Sequence, residues 1–527
     1  MSQDFARRLG WVTFTGFLLS CPACMSTHRP AWSRDSRRVV FPVLSPSGGG
    51  GSVCKKLVLV DLSGERVRDV ATVPAKPEGY LSPPSWSPDG KWIAYQSAVA
   101  EGDGGVLKLF IQDAETGAER CLLTTETKMT DWMDSALSVL SLGGGPQWLS
   151  DSSAVAGRGA PEREAEGFAM LVVDLNGEVR KRIPLPEYAY EAYLSPDGRF
   201  VAYRQRGESE GKGFRRPRRV TRPKKRADNG ANDTSVGPGP EKPDAPQKRD
   251  EPPKPKAPEP PCWLLDVETG VRRELIPPSE GVGDLWAGTW SPDSRFLYFV
   301  THDEEAAFLK RVEVETGASQ VTKIGRVGVL DITIGAVAGP RLPRAVALCV
   351  SGALILVGGL LVWRKRGSRV GVVVAGLGLA CLALALVLTV WRSARQPTIA
   401  APYVLKAKDD KAMGVGLIDP ADGSITPLHA SAKYLVGGAS ISPDGEWVAL
   451  VLVGENGEKE AAACVGAFVS CDGAAFRCFP LGGRVTEEMI AGIKDERRKL
   501  LPVVREHLSK QAEDQNGPEE REGASEE

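Results

Sequence analysis

The feature that most constrains the fold of this 527-residue chain is a short turn motif that returns along the sequence. Its clearest copy is Trp86-Ser87-Pro88-Asp89-Gly90, which an apolar strand follows. Proline suits the second position of a type I turn, aspartate bonds nearby backbone groups, and glycine closes the turn. The repeat predicts that these aspartates form turns and are not catalytic acids: Asp35, Asp89, Asp151, Asp197, Asp293 and Asp444.

A second half-motif follows most of these turns, with an acidic residue shortly before a glycine and apolar runs on both sides. Such a pattern is typical of β-hairpins. It occurs at residues 60–64, 112–117, 173–177, 265–270, 312–317 and 418–423. Two hairpins per repeat make a four-stranded antiparallel sheet. Because the strand after each turn is nearly all apolar, we expect it to be buried on both faces, as in a β-propeller.

The spacing of the turns predicts the number of blades, since one blade takes about 40 to 50 residues. Asp197 and Asp293 are 96 residues apart, which allows one blade with an insertion. Asp293 and Asp444 are 151 residues apart, which allows two blades with a further insertion. Residues 327–334 and 403–407 are candidates for the first two strands of the blade that lacks the turn motif. The sequence therefore predicts an all-β propeller of seven blades, with six as the alternative.

The repeated turn and strand, as in Trp290-Ser291-Pro292-Asp293 and Ser442-Pro443-Asp444-Gly445, resemble the propeller repeat of the TolB family, which dipeptidyl peptidases share. The resemblance spans about residues 28 to 481. It implies the propeller fold, but TolB also has an α/β domain before its ring, and only 27 residues precede the first repeat here. The peptidases need a hydrolase domain, for which too few residues remain, so we expect a protein that is not an enzyme.

The first 27 residues read as a signal peptide or lipoprotein signal. Arg7 and Arg8 precede an apolar core from Leu9 to Leu19, which is too short to span a bilayer stably. Leu18-Leu19-Ser20-Cys21 also resembles a bacterial lipobox, which makes Cys21 a lipidation candidate. The alternative is a disordered segment or a buried strand.

Residues 206–261 form the first insertion, between two parts of the propeller at 28–205 and 262–339. Proline and charged residues replace apolar ones there, so no core can form and we expect disorder. Its basic part, Arg215 to Arg226, is a candidate contact for an anionic surface, with a solvated loop as the alternative. The whole chain is balanced, with 66 Lys and Arg against 67 Asp and Glu, which does not favour nucleic acid as a partner.

The second insertion, residues 340–396, carries two uncharged apolar runs of 18 and 21 residues. As helices they would be about 27 and 32 Å long, close to the roughly 30 Å hydrocarbon thickness of a bilayer. The sequence therefore predicts a transmembrane helical hairpin, and a helical hairpin buried in a soluble protein is the alternative. The predicted spans run from Ala345 to Val362 and from Val370 to Val390.

The closed ring restricts the membrane topology. Strands before and after the hairpin belong to one propeller, so they must lie on the same side of the bilayer. The connection of residues 364–369 is short and basic, which by the positive-inside rule places it in the cytoplasm. We therefore predict that the propeller lies on the extracytoplasmic face, in agreement with the export signal.

The last blades are expected at 397–481, followed by helices at 482–511 and an acidic disordered tail at 512–527. Thr486 to Lys510 has apolar residues at helical spacing and is expected to form one or two helices, with Pro502 as a break. The tail is a candidate contact for the basic insertion.

No chemistry is evident from the residue pattern. The four histidines are scattered without metal-ligand spacing, so we expect no metal, no cofactor and no histidine-based triad. Three cysteines fall in the last blade, where two could pair in an exported domain, but the others show no disulfide framework. The sequence favours a membrane-tethered scaffold at the cell envelope that binds a protein or peptide; the alternative is a glycan hydrolase or lyase with its site in the central funnel.

Overall fold

The computed structural model describes fifteen stretches of the chain: residues 28–46, 52–73, 79–101, 104–127, 145–159, 169–186, 189–205, 261–276, 286–302, 306–325, 327–329, 332–334, 399–406, 411–454 and 463–516. They form seven antiparallel sheets and one C-terminal helix. The prediction of a seven-bladed propeller is therefore confirmed.

The first three blades follow one another along the chain. Blade 1 contains β1 (Ala31–Trp32), β2 (Arg38–Pro46), β3 (Ser52–Asp61) and β4 (Arg66–Thr72). Blade 2 contains β5 (Gly79–Leu81), β6 (Ser85–Trp86), β7 (Trp92–Glu101), β8 (Gly104–Asp113) and β9 (Glu119–Thr127). Blade 3 contains β10 (Gln147–Trp148), β11 (Ala154–Gly159), β12 (Ala169–Asp174) and β13 (Val179–Pro184).

Four more blades complete the ring. Blade 4 contains β14 (Ala189–Leu194), β15 (Phe200–Gln205), β16 (Cys262–Asp266) and β17 (Arg272–Ile276). Blade 5 contains β18 (Trp286–Trp290), β19 (Phe296–His302), β20 (Ala307–Glu313) and β21 (Ser319–Gly325). Blade 6 contains β22 (Gly328–Val329), β23 (Thr333–Ile334), β24 (Ile399–Lys406), β25 (Lys411–Ile418) and β26 (Ile425–Ser431). Blade 7 contains β27 (Tyr434–Ile441), β28 (Trp447–Gly454), β29 (Ala463–Ser470) and β30 (Phe476–Gly482).

Blade 6 forms without the turn motif that the other blades carry. Its first strand is in two pieces, because β22 and β23 both pair with β24. The sequence-based strand over 327–334 is thus interrupted, and the second strand begins at Ile399, four residues before its predicted start at Tyr403. Pairing of Ile334 with Ile399 closes the blade across the second insertion.

The core lies between neighbouring blades, where the apolar second strands are sandwiched. In β28 every residue from Val448 to Gly454 is buried. The largest fully buried side chains include Tyr203, Tyr298 and Tyr403, one each from the second strands of blades 4, 5 and 6. Burying a large apolar side chain contributes about 1.5 to 3 kcal/mol, so the stacked blades stabilise one another.

The ring closes where blade 7 meets blade 1. In the described residues each sheet is built from strands consecutive in the chain, so these two blades share no strand. They meet through an aromatic cluster in which the Phe468 ring lies 5.5 Å from Trp32 and 5.6 Å from Phe41. Arg477 Nη1 also donates to the Leu62 carbonyl at 2.9 Å. We call this junction the seam.

The C-terminal helix, α1 (Glu487–Asn516), lies along the outer strand of blade 6. It continues through Pro502, so the predicted break there was wrong. Proline removes one backbone donor from a helix. Packing against the propeller on both sides of Pro502 nevertheless keeps the helix continuous, because Ile493 and Leu501 before it and Val504 after it are buried.

The two ends of the propeller differ in their connections. The turns between first and second strands and between third and fourth strands lie on one end, which we call the turn face. All the other connections lie on the opposite end, the loop face. Because strands alternate in direction, the second insertion leaves from the turn face after Ile334, and the basic insertion leaves from the loop face after Gln205.

Candidate functional site

A cavity of about 320 Å³ opens where the central channel reaches the turn face. First strands of blades 1, 5, 6 and 7 build its wall, since the first strand of each blade lines the channel. The lining residues are Arg29, Trp32, Thr289, Thr333, Ile334, Ser440, Ile441 and Pro443. A volume of this size suits a few side chains of a bound segment or one small molecule.

Ser440 is one of the residues that line the cavity. It is 7% exposed, and among the described residues its Oγ is buried without a hydrogen-bond partner. Its carbonyl oxygen, in contrast, accepts from Trp32 Nε1 at 3.0 Å across the seam. Ser440 therefore helps to fix the wall of the cavity between blades 7 and 1.

Arg29 is the charged residue of the lining, and none of the lining residues is acidic. Hydroxyl groups of Thr289 and Thr333 add polar character, although Thr333 Oγ1 already bonds the Ala400 carbonyl at 3.4 Å. The lining therefore offers an arginine, hydroxyl groups and apolar surface. Paired carboxylates, which acid–base hydrolysis of glycans requires, do not occur among these residues.

The turn aspartates lie in a ring on the turn face and are not brought together. In blade 2, the Ser87 hydroxyl donates to Asp89 Oδ1 at 2.6 Å, and the Lys91 backbone N–H donates to the same oxygen at 3.1 Å. The arrangement repeats at Asp35, Asp197, Asp293 and Asp444. At Asp151 the backbone N–H of Ser153 donates to the carboxylate.

At Asp89 and Asp151 the hydrogen bonds favour the charged carboxylate. Burial on its own would raise the pKa of Asp89, but the bonds from Ser87 and Lys91 outweigh it and hold the pKa below its usual value. At Asp151 the Ser153 backbone N–H is the main cause of a lowered pKa. Carboxylates of this kind are suited to fixing turns and not to donating protons at neutral pH.

A regular inter-blade bond links these turns, and the sequence analysis missed it. Blades 2, 4 and 7 place glycine at the end of the motif, whereas blades 1, 3 and 5 place a serine there with φ near +60°. The hydroxyl of each serine accepts from the aspartate N–H of the preceding blade, as in Asp89 to Ser152 at 2.9 Å and Asp197 to Ser294 at 3.0 Å. Ser36 accepts from Asp444 at 3.2 Å across the seam. The alternation of glycine and serine was the sequence signal.

A second set of contacts that the sequence did not reveal fastens α1 to the propeller. Arg497 Nε donates to the Leu428 carbonyl at 3.0 Å, and its Nη2 donates to the Gly473 carbonyl at 2.9 Å. The same guanidinium lies 4.7 Å from the centre of the Phe476 ring, which stacks on His429. One arginine thus joins the helix to both blade 6 and blade 7.

Several predicted features lie outside the described residues. These are Cys21, the basic stretch Arg215 to Arg226, and the two spans from Ala345 to Val362 and from Val370 to Val390. Within the described stretches, no helix has both the length and the apolar character needed to cross a bilayer. The same stretches contain no cluster of histidine, cysteine and acidic residues that could hold a metal ion.

The solved structures that this chain resembles include TolB proteins and a protease propeller domain. TolB from Acinetobacter baumannii is 13% identical, with a TM-score of 0.35; the match covers 85% of this chain and 65% of the TolB chain. The β-propeller domain of the Trilobed protease from Pyrococcus furiosus is 12% identical, with a TM-score of 0.42 and coverage of 86% and 94%. A putative TolB from Agrobacterium tumefaciens is 14% identical, with a TM-score of 0.35 and coverage of 72% and 90%.

These similarities are distant and concern the fold alone. No protein-family model matches the sequence. No curated protein matches it either. The described stretches form a seven-bladed propeller with distant similarity to structures of TolB and of a protease propeller domain, and the function has to be argued from the residues of this chain.

Proposed function

We propose that this protein is a membrane-tethered propeller that holds a protein or peptide partner at the turn-face end of its central channel. Support comes first from the cavity, whose lining combines an arginine with hydroxyl groups and apolar surface. The single observation that carries the proposal is the position of this cavity, which opens at the end of the channel, is lined from four blades and can take a few side chains of a bound segment.

The tether is proposed from the second insertion. Its two uncharged runs, at 345–362 and 370–390, match the thickness of a bilayer. The first strand of blade 6 ends at Ile334, which also lines the cavity, so the insertion begins at the edge of the proposed site. A membrane reached from this edge would lie on the turn-face side of the propeller.

The extracytoplasmic side is proposed from charge. The connection 364–369 between the runs carries four basic residues and no acidic one, which favours the cytoplasm. The apolar core after Arg7 and Arg8 at the N-terminus is that of an export signal. Both signals lead to a propeller outside the cytoplasm, where an envelope protein could be its partner.

Site-directed photo-crosslinking tests the binding site. A photoreactive amino acid would replace Thr289 in the cavity or, as the matched control, Val321, which is 51% exposed on the outer strand of blade 5. We expect a defined adduct in membranes from the position of Thr289 and none from that of Val321. Adding Ile441→Trp, which fills the cavity, should abolish the adduct. Equal adducts at both positions, or an adduct unaffected by Ile441→Trp, would contradict the proposal.

A further inference from the structure

Two buried cysteines from distant parts of the chain lie in the apolar cluster at the seam. Cys54 lies in β3 of blade 1 and Cys464 in β29 of blade 7. They are 1% and 0% exposed and belong to the same apolar cluster. No other pair of cysteines among the described residues is brought together from two blades in this way.

The sulfur of Cys464 reaches β2, the strand that pairs with the strand of Cys54. Cys464 Sγ lies 3.9 Å from the Pro42 carbonyl oxygen. Cys54 is the register partner of Leu44, two residues from Pro42, and its Sγ lies 3.3 Å from the Lys56 carbonyl oxygen in its own strand. Cys464 thus extends from blade 7 to the part of blade 1 in which Cys54 lies.

The local backbone allows this approach. The register of β2 and β3 shifts between Val43 and Leu44, so Lys55 is the extra residue of the bulge and Cys54 stays paired with Leu44. On the other side, Gly482 is the register partner of Cys464 and has no side chain. A Cβ built there would come within 2.5 Å of Val43, so the glycine lets blade 7 approach blade 1 closely.

The structure assigns Cys54 and Cys464 as a disulfide site that closes the ring covalently. In the reaction each thiol gives up its hydrogen, the S–S bond forms, and a disulfide oxidant such as oxidised glutathione is reduced to two thiols. The bond would join residues 410 positions apart (464 − 54) at the junction that no shared strand holds among the described residues. A disulfide across so long a loop restricts the unfolded chain strongly.

The timing of oxidation follows from burial. Burial raises the pKa of Cys54 to about 12, with the nearby Cys464 thiol adding to the effect, and it raises the pKa of Cys464 to about 11. Because the thiolate is the reactive form, both groups exchange poorly once the ring is closed. The bond should therefore form while the chain folds, in an oxidising compartment.

Cell-free synthesis of the full chain in detergent tests this site directly. Glutathione buffer would be set either oxidising or reducing during folding, and linked peptides would be mapped by mass spectrometry without reduction. Cys54→Ala and Cys464→Ala remove one partner each. Cys262→Ala is the matched control, since Cys262 is also buried but lies in blade 4.

The oxidised product should contain the Cys54–Cys464 peptide pair, which either alanine variant loses and Cys262→Ala keeps. Its equilibrium constant for unfolding should be about 30-fold or more below that of the reduced protein. Alkylation of both thiols in the unfolded, unreduced product, or a bond to a different cysteine, would overturn the assignment. Because the wild-type map is decisive on its own, the result does not depend on folding of the variants or on any partner.

Discussion

The serines that replace glycine in the turn motif combine a backbone cost with a compensating bond. Ser36, Ser152 and Ser294 have φ values of 58°, 60° and 60°. The left-handed region costs a residue with a side chain about 1 to 2 kcal/mol, and a hydrogen bond returns about 1 kcal/mol. Each serine therefore links two blades at little net cost, which glycine cannot do.

Substitutions at Ser152 separate these two effects. Ser152→Ala keeps the strained φ and leaves the Asp89 N–H without its partner, so unfolding free energy should fall by about 1 to 2 kcal/mol. Ser152→Gly loses the bond but relieves the strain, and it should stay within about 1 kcal/mol of the parent. Urea denaturation measures both.

The exposed neighbour Ser150 provides the control for these variants. Ser150→Ala should change the unfolding free energy by less than about 0.5 kcal/mol. Equal stability of Ser152→Ala and Ser150→Ala would show that the inter-blade bond contributes nothing.

His429 predicts a pH dependence of stability. It is fully buried, neither ring nitrogen has a hydrogen-bond partner among the described residues, and burial lowers its pKa from 6.5 to about 3, with the charge of Arg497 adding to the effect. Between these two values the unfolded chain binds a proton that the folded protein does not. The stabilisation from neutral His429 is therefore complete above pH 6.5 and is lost as pH falls towards 3.

Replacing His429 with leucine should remove that dependence. Between pH 6.5 and 4, the wild type should lose up to about 1.4 kcal/mol per pH unit more than His429→Leu does. Below about pH 4 both should weaken further, because the turn carboxylates Asp35, Asp89 and Asp151 have lowered pKa values and become protonated. Denaturation curves across this range give the comparison, and parallel curves for the two proteins would rule out His429 as the source.

At the level of secondary-structure elements, α1 packs against blade 6, the blade that the second insertion interrupts. Glu496 accepts from the backbone N–H groups of Ala432 and Lys433, and Arg497 reaches the carbonyls of Leu428 and Gly473. These contacts hold the end of β26 and the last hairpin of blade 7. The helix thus adds hydrogen bonds to the outer strand of blade 6, whose first strand is short and in two pieces.

Removing the arginine should loosen the helix locally. Arg497→Ala leaves two carbonyl groups without partners and removes the contact with Phe476, so it should destabilise the protein by about 2 to 3 kcal/mol. Arg498→Ala is the control, because Arg498 is exposed and pairs with Asp495 on the same helix, and surface ion pairs of this kind contribute little to stability.

Hydrogen exchange locates the effect of these two substitutions. Amides of α1 and β26 should exchange faster in Arg497→Ala than in Arg498→Ala, while those of blade 3 stay the same. Faster amide exchange over the whole propeller, or unchanged exchange in α1, would contradict the role of Arg497 in holding α1 on blades 6 and 7.

The sequence predicted the elements that depend on local turn chemistry. Pro88, Asp89 and Gly90 dictate a turn from their own backbone preferences, and the hairpin at 418–423 identified the blade that lacks the motif. Local preference failed at Pro502, where packing of α1 on the propeller overrides the missing donor.

The site could not be predicted in the same way. Arg29, Thr289 and Ser440 come together only because the ring closes, and nothing in their local sequence marks them as neighbours. The same holds for Cys54 and Cys464, whose approach depends on the close packing of blades 7 and 1 at a glycine. Contacts between distant blades follow from ring geometry and not from local pattern.

At the scale of the whole molecule, the two faces of the propeller take different insertions. The strands that bracket the second insertion, β23 and β24, open onto the turn face, and those that bracket the basic insertion, β15 and β16, open onto the loop face. On the proposed topology the turn face lies towards the membrane. The basic stretch Arg215 to Arg226 would then leave from the side away from that membrane, which favours an anionic partner in the compartment over the lipid surface of the same bilayer.

The central claim is that two membrane crossings interrupt one closed ring and leave it wholly outside the cytoplasm. Cys121 provides a natural probe, because it is exposed on β9 of blade 2, and Ser368→Cys places a second thiol in the short basic connection. Intact cells would be treated with a membrane-impermeant maleimide and the modified peptides identified. We expect Cys121 to be modified in intact cells and the S368C thiol only after permeabilisation. Modification of the S368C thiol in intact cells, with Cys121 protected, would contradict the account.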